Sequence, residues 1–371
     1  MRLAVIGKSP FVVRTPDSTP TDLFMATGSN TGNLAFGFAA HQIMAGSKTY
    51  FDWDFDPATL NRRFDAAVLV CANMINPALD LGQLADRLAA LTVPLCVFSI
   101  GCQGPLGSGR FVLPPGSIRF LYVVARKCRS FGVRGATSAR FLSALGIENW
   151  QIVGCPSNML APPPGARRRM EQRVRRDGPV LLHVDLVGDF PVLMGQLRAL
   201  AGGPVHYMAQ SPFTLVDLAL ARSGPLTASQ QALVAKFGIG DGPDATAVLR
   251  DTLHAFFSVE EWCSFTSRFD FSLGVRLHGN IIAMRCGVPC LVVMHDERMR
   301  ELAETHALPA LTMEDFLATR AAGDLRTFVA DRLDAYWDRS AVLARRFTSL
   351  LRENGIGVVE ETPAPVCEAA A

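Results

Sequence analysis

The segment SLGVRLHGNIIAMRCGVP, Ser272–Pro289, puts a guanidinium and an imidazole, Arg276 and His278, directly after an apolar run and before Gly279. Arginine offers a planar fork of donors that matches phosphate or carboxylate oxygens. Histidine binds an anion or moves a proton near neutral pH. Glycine lets a ligand approach the backbone. Phe269–Leu273 reads as a strand and Leu277–Cys286 as a helix. Ligands collect at the carboxyl ends of strands in open α/β sheets, and a helix start there adds free N–H groups and partial positive charge. Cation, imidazole and helix dipole thus converge on one point. Either residue alone reads as a surface Arg or a core His, whereas the two together at a strand-to-helix switch favour a binding and proton-transfer site.

Such a corner needs a sheet behind it and a cleft in front. Strands are expected at Leu3–Ile6, Ala66–Cys71, Leu95–Ile100, Ser130–Val133 and Gln151–Val153, then at Val180–Val184, Val205–Met208 and Cys290–Met294. Helices are expected at Leu34–Met44, Leu81–Leu91, Ile118–Cys128 and Ala136–Leu145, and later at Ala232–Phe237, Val259–Ser267 and Glu297–His306. A long amphipathic segment covers Asp324–Leu351. Continuous apolar strands between helices imply parallel sheets covered on both faces. Ala161–Gly178, APPPGARRRMEQRVRRDG, reads as a linker whose arginines are solvated. The expected organisation is a first α/β domain over 1–160, a linker over 161–178, a second over 179–355 and a flexible tail over 356–371. The cleft between the two is a preferred ligand site.

Composition narrows the function classes. Of 371 residues about half are hydrophobic and 19% charged, and the net charge is +2. A nucleic-acid partner calls for a clear basic excess, which is missing. The nine cysteines are scattered with no CxxC pair, so no zinc site is expected and a reducing cytoplasm suits them. No run is long and apolar enough for a membrane span. Asp52, Asp54 and Asp56 alternate with aromatics, but a metal site needs more oxygen ligands, and none is expected.

Ser29-Asn-Thr-Gly-Asn33 precedes a helix and reads equally as a ligand loop, through Asn30, Gly32 and Asn33, or as a plain turn and cap. Gln103 follows a strand and Gly101, and reads as a loop Gln bonded to backbone ahead of one that reaches an acceptor sugar hydroxyl. His41, His183, His206 and His254 read as packed or satisfied core histidines. His295 and Asp296, with Glu301 a turn later, end a strand at its carboxyl side and are minor cleft candidates.

VRLHGNIIAMRCGVPCLVV resembles the signature of the polysaccharide pyruvyl transferase family. Ser29–Asn33, Phe98-Ser-Ile-Gly-Cys-Gln103 and Phe131-Gly-Val-Arg134 with Ser138 and Leu145-Gly146 are similar to further family segments, in order from about Gly28 to about Asp296. The resemblance implies two Rossmann-like domains in a glycosyltransferase-B-like arrangement with an interdomain cleft. It implies phosphoenolpyruvate as donor, a glycan or lipid-linked acceptor, a pyruvate ketal and phosphate as products, and no cofactor. Arg276, Leu277 and His278 would hold the donor beside Gly279, with Arg134 as a second arginine and Arg276 and His278 as the catalytic pair. The cytoplasm, reaching the inner face of the plasma membrane, would be the place. Asn33, Gly135 and Cys155 stand where relatives often carry Asp. A nucleotide-sugar glycosyltransferase and a non-catalytic glycan-binding protein are the alternatives on the same fold.

Overall fold

The computed structural model describes residues 1–240, 242–319, 321–360 and 364–365. The first half forms β1 (Arg2–Ile6), β2 (Ser47–Phe51), β3 (Ala66–Val70), β4 (Leu95–Phe98), β5 (Phe131–Val133) and β6 (Trp150–Ile152). Four of them run parallel in the order β2-β1-β3-β4, and β5 pairs with β6. A bridge from Ile100 to Val133 joins the two pieces. The second half forms β7 (Val180–Val184), β8 (Val205–Ala209), β9 (Leu253–His254), β10 (Phe271–Gly274), β11 (Cys290–Met294) and β12 (Ala310–Thr312). These are parallel in the order β12-β11-β10-β7-β8-β9.

Both orders belong to doubly wound Rossmann-like sheets, and each reverses direction once, between β1 and β3 and between β7 and β10. At such a point the crossover helices leave on opposite faces and open a crevice at the strands' carboxyl ends. β7 is buried along its whole length and β11 along nearly all of it, which is why both read as apolar runs, broken in β7 only by His183. The two halves face each other as a glycosyltransferase-B pair. Helix Asn33–Ile43 lies between them, and its Leu34, Phe38 and Ile43 belong to one core continuous with Val180–Val184 and Ile281–Met284.

The chain departs from its sequence-based outline in three places. The amphipathic stretch Asp324–Leu351 is two helices, Ala322–Ala330 and Leu333–Glu353. The second returns to the first half. Phe347 packs on Phe98 with ring centroids 4.9 Å apart, and Ser130 Oγ donates to Glu353 at 2.8 Å. Apolar periodicity shows that a helix has a buried face but not which sheet it covers. Within 161–178, helix Ala166–Arg173 buries Met170; Arg167 and Arg168 stay in solvent as expected, whereas Arg169 is half-buried and Arg173 turns inward to donate to the Ser267 and Gly287 carbonyls at 2.7 and 3.2 Å. Beyond 355, Val358 bridges to Met44, so the backbone is tied to the first half at that point.

Candidate active site

β10 ends at Gly274, and helix Leu277–Arg285 starts with Arg276 as its N-cap. Asn280 holds this turn. Its Nδ2 donates to the Gly274 and Arg276 carbonyls at 3.1 and 3.0 Å, and its Oδ1 accepts from Ser272 Oγ at 2.9 Å. Gly279 sits under His183, whose Nδ1 would lie 2.1 Å from any Cβ placed there. Alanine at 279 would therefore displace the helix start.

Arg276 crosses the switch point to Asp185, directly after β7, with Nη2 2.6 Å from Oδ2. The same nitrogen donates to the Ser211 carbonyl at 2.9 Å and to its hydroxyl. Leu277 is buried, so the side chain serves packing. Arg134 follows β5 and is 1% exposed. Its methylenes lie on Gly101, where a Cβ would come within 2.3 Å of Cδ. Its Nη1 donates to Asn73 Oδ1 at 2.6 Å. From there a chain of polar groups crosses the cleft. Asn73 Nδ2 donates to Gln103 Oε1 at 2.9 Å, Gln103 Nε2 donates to Asp296 Oδ2 at 3.2 Å, and Asp296 pairs with Arg298 at 3.3 Å. Gln103, read as bonded to backbone or reaching a sugar hydroxyl, instead bonds side chains of both halves and braces them.

His278 is 8% exposed and lies between the halves. Its Nε2 is 3.7 Å from Cys155 Sγ, and its Nδ1 would be 2.7 Å from a Cβ at Gly32. Phe36 flanks the ring at 5.6 Å. Burial first, then the charges of Arg134, Arg298 and Arg276, hold the imidazole well below its ordinary value, so it is neutral at neutral pH. Arg134 and Arg276 are likewise pushed down by burial, though an arginine remains a cation.

Arg134 Nε and Nη2, Arg276 Nε and Arg298 Nε are buried without a hydrogen-bond partner among the described residues, as are Gln210 Nε2 and His295 Nδ1. A buried donor left unpaired costs about 1–3 kcal/mol. Several around one imidazole describe a cradle for an anion with several acceptor oxygens.

The first half faces this cradle with its own switch point. A cavity of about 580 Å³ opens there, lined by Lys8, Asn30, Asn33, Asp52, Trp53 and Asn73 among others. Asn30 Oδ1 accepts from the Gly32 N–H at 2.9 Å, and the Thr31 N–H donates to the Gln210 carbonyl across the cleft at 3.0 Å. Asn30 and Gly32 are therefore brought to His278. Asn33 both lines the cavity and braces its own loop, donating to the Thr27 and Gly28 carbonyls at 3.0 and 3.3 Å.

The three neutral positions have separate physical settings. An amide at Asn33 satisfies two carbonyls, which a carboxylate would repel. At Gly135 the space a side chain would take is filled by Glu301 and Thr305. Glu301 accepts from Ser138 N and Oγ at 2.6 and 2.9 Å, so a carboxylate from the second half caps helix Ala136–Ala144. Cys155 presents a thiol to His278.

The chain matches the polysaccharide pyruvyl transferase family model over residues 30–297. It belongs to that family. It is accordingly a transferase, and the family implies a glycan acceptor. No curated protein matches the chain. Among solved structures it is similar to the UDP complex of MnaA from S. aureus, at 10% identity and a TM-score of 0.47, covering 98% of this chain and 99% of that one. It is also similar to sucrose-phosphate synthase from Thermosynechococcus elongatus (10%, 0.43, 95% and 99%) and to the E. coli heptosyltransferase WaaC with ADP (13%, 0.36, 92% and 100%). These likenesses are broad, and the fold assignment stands on the two strand orders.

Sequence reasoning missed Asp185, Gln210, Arg298, Asn73 and Asn280. The first four follow the carboxyl ends of β7, β8, β11 and β3, so the rule that found Arg276 would have found them if applied to every strand. His183, taken as a satisfied core histidine, is buried with neither ring nitrogen hydrogen-bonded among the described residues. His206 and His254 bond each other at 3.0 Å, and His41 bonds Tyr50 at 2.8 Å, all away from the cradle.

Proposed function

We propose that this family member transfers the pyruvyl group of phosphoenolpyruvate to two hydroxyls of one glycan residue, forming a ketal and releasing phosphate. The observation that carries the reading is the set of unpaired guanidinium donors of Arg134, Arg276 and Arg298 around His278. Phosphoenolpyruvate has a phosphate and a carboxylate, and two or three fixed guanidinium groups suit both.

The steps balance without a cofactor. His278, once protonated, gives a proton to the methylene carbon; the double-bond electrons form the new C–H bond and leave a cationic centre at C2. One sugar hydroxyl attacks C2 and its proton returns to the imidazole. The C–O bond to phosphate breaks, phosphate leaves with the electron pair, and the second hydroxyl closes the ketal and gives its proton to phosphate. Arginines behind the leaving group offset its charge. The acceptor sugar is assigned to the first-half cavity, where Trp53 offers a ring face and Asn30, Asn73 and the Lys8–Asp52 pair, 2.9 Å apart, offer hydrogen bonds. Buried free cysteines support a cytoplasmic setting, and no helix among the described residues is long and apolar enough to cross a membrane.

Incubating the protein with phosphoenolpyruvate and a panel of glycans, and following phosphate release with ketal detection by mass, tests this reading. Acceptor-dependent phosphate release is expected. Release from a nucleotide sugar instead, with none from phosphoenolpyruvate, would overturn it.

A further inference from the structure

We propose that the anion itself charges His278: the imidazole is wedged among three guanidinium groups, its hydrogen-bonding neighbour is the Cys155 side chain in place of a carboxylate, and a dianion that offsets those cations draws a proton from solvent onto the ring. The identity of that dianion as phosphoenolpyruvate rests on the reading above; the coupling does not.

The charges that face His278 come from three directions. Arg276 lies on its own helix, Arg134 on the turn after β5, and Arg298 on helix Glu297–His306. Asp185 offsets Arg276, and Asp296 offsets Arg298. Arg134 has Asn73 as its side-chain partner and no carboxylate within 4 Å among the described residues. Apart from Arg134, the first half contributes neutral groups there, Gly32 and Asn30, and the ring of Phe36. Under Nε2 lies Cys155 Sγ, which accepts from Ser157 Oγ at 3.1 Å. The thiol hydrogen is then free to point at Nε2, leaving the ring proton on Nδ1, the nitrogen that faces Gly32.

Two unit charges 4 Å apart interact by about 4 kcal/mol at an effective dielectric of 20, and with Asp185 and Asp296 offsetting two of the three cations a net positive charge of about one still opposes imidazolium there. A dianion among them reverses the sign of the local field. The folded, free protein therefore binds fewer protons than the complex, and binding takes up a proton. A carboxylate at 155 would charge the ring beforehand; the thiol leaves its protonation to the ligand. The acid that the proposed chemistry needs exists only when the donor is present, which spares the buried cluster a further cation beside the unopposed Arg134.

Calorimetric titration of the full chain with phosphoenolpyruvate, and separately with sulfate, a dianion that does not itself titrate, tests the coupling. Each is run at one pH in two buffers of different ionisation heat. Uptake of up to about one proton per site is expected, lost in His278→Gln, lost in Cys155→Asp and kept in Cys155→Ser. His278→Gln is also expected to lower turnover by roughly 10²–10⁴-fold. Binding without proton uptake, or uptake that survives in His278→Gln, overturns the inference while leaving the donor reading intact. Sulfate uptake with no phosphoenolpyruvate binding does the reverse. Failure of both anions to bind overturns both.

Discussion

The second half meets the cleft with Arg276 and His278, each less than a tenth exposed, and adds Arg298 and His295 beside them. The first half contributes the buried Arg134, but otherwise presents asparagines, Trp53 and one lysine–aspartate pair around a wide cavity. One side concentrates charge where water is scarce, so each interaction is strong and each misplaced group costly. The other spreads neutral hydrogen-bonding groups around an aromatic face, which suits a polyol. The proposed recognition of a small anion and of a sugar calls for these opposite environments, one at each switch point.

Acid is the broadest way to break this contrast. Six of the seven histidines lie in the second half, and His183 and His306 are fully buried, with burial bringing both down to about 3. His306 Nε2 accepts the Cys155 N–H at 2.8 Å, so it must be neutral there. A folded value below the unfolded one means that the unfolded chain binds protons first. Stability is therefore full above about pH 6.5 and falls from there down towards about pH 3. Each imidazole is expected to cost on the order of 2 kcal/mol by pH 5. Hydrogen exchange at pH 7 and pH 5 should show the second half loosening first. Uniform loosening of both halves would remove the asymmetry.

Arg276→Lys sharpens the comparison at the proposed donor side. It keeps the charge but loses the fork. Donor binding is expected to weaken by about 1.5–3 kcal/mol, roughly tenfold to a hundredfold, with acceptor KM unchanged. Equal phosphoenolpyruvate affinity in the two proteins would remove Arg276 as the clamp. Trp53→Ala should do the opposite and do less. An aromatic contact is worth about 0.5–1.5 kcal/mol beyond its area, so acceptor KM should rise roughly twofold to tenfold while donor affinity holds. A change in donor affinity would mean that the two sides are not separate.

The alternation of apolar runs and amphipathic segments was enough to determine two parallel sheets, because strands covered on both faces must be continuously apolar. The Arg-Leu-His segment also carried its own address, since strand end, N-cap and glycine are adjacent in the chain. What only the tertiary structure decided are relations between distant segments. Arg134 and Arg298 come from different halves, and Cys155 reaches His278 across 123 positions. The last helix packs on the sheet it does not follow in sequence, and Glu301 fills the space left by Gly135. Periodicity reports how much of a side chain is buried. Which other side chain buries it, and whether a cation finds a carboxylate or only an amide, depends on how two separately built sheets dock.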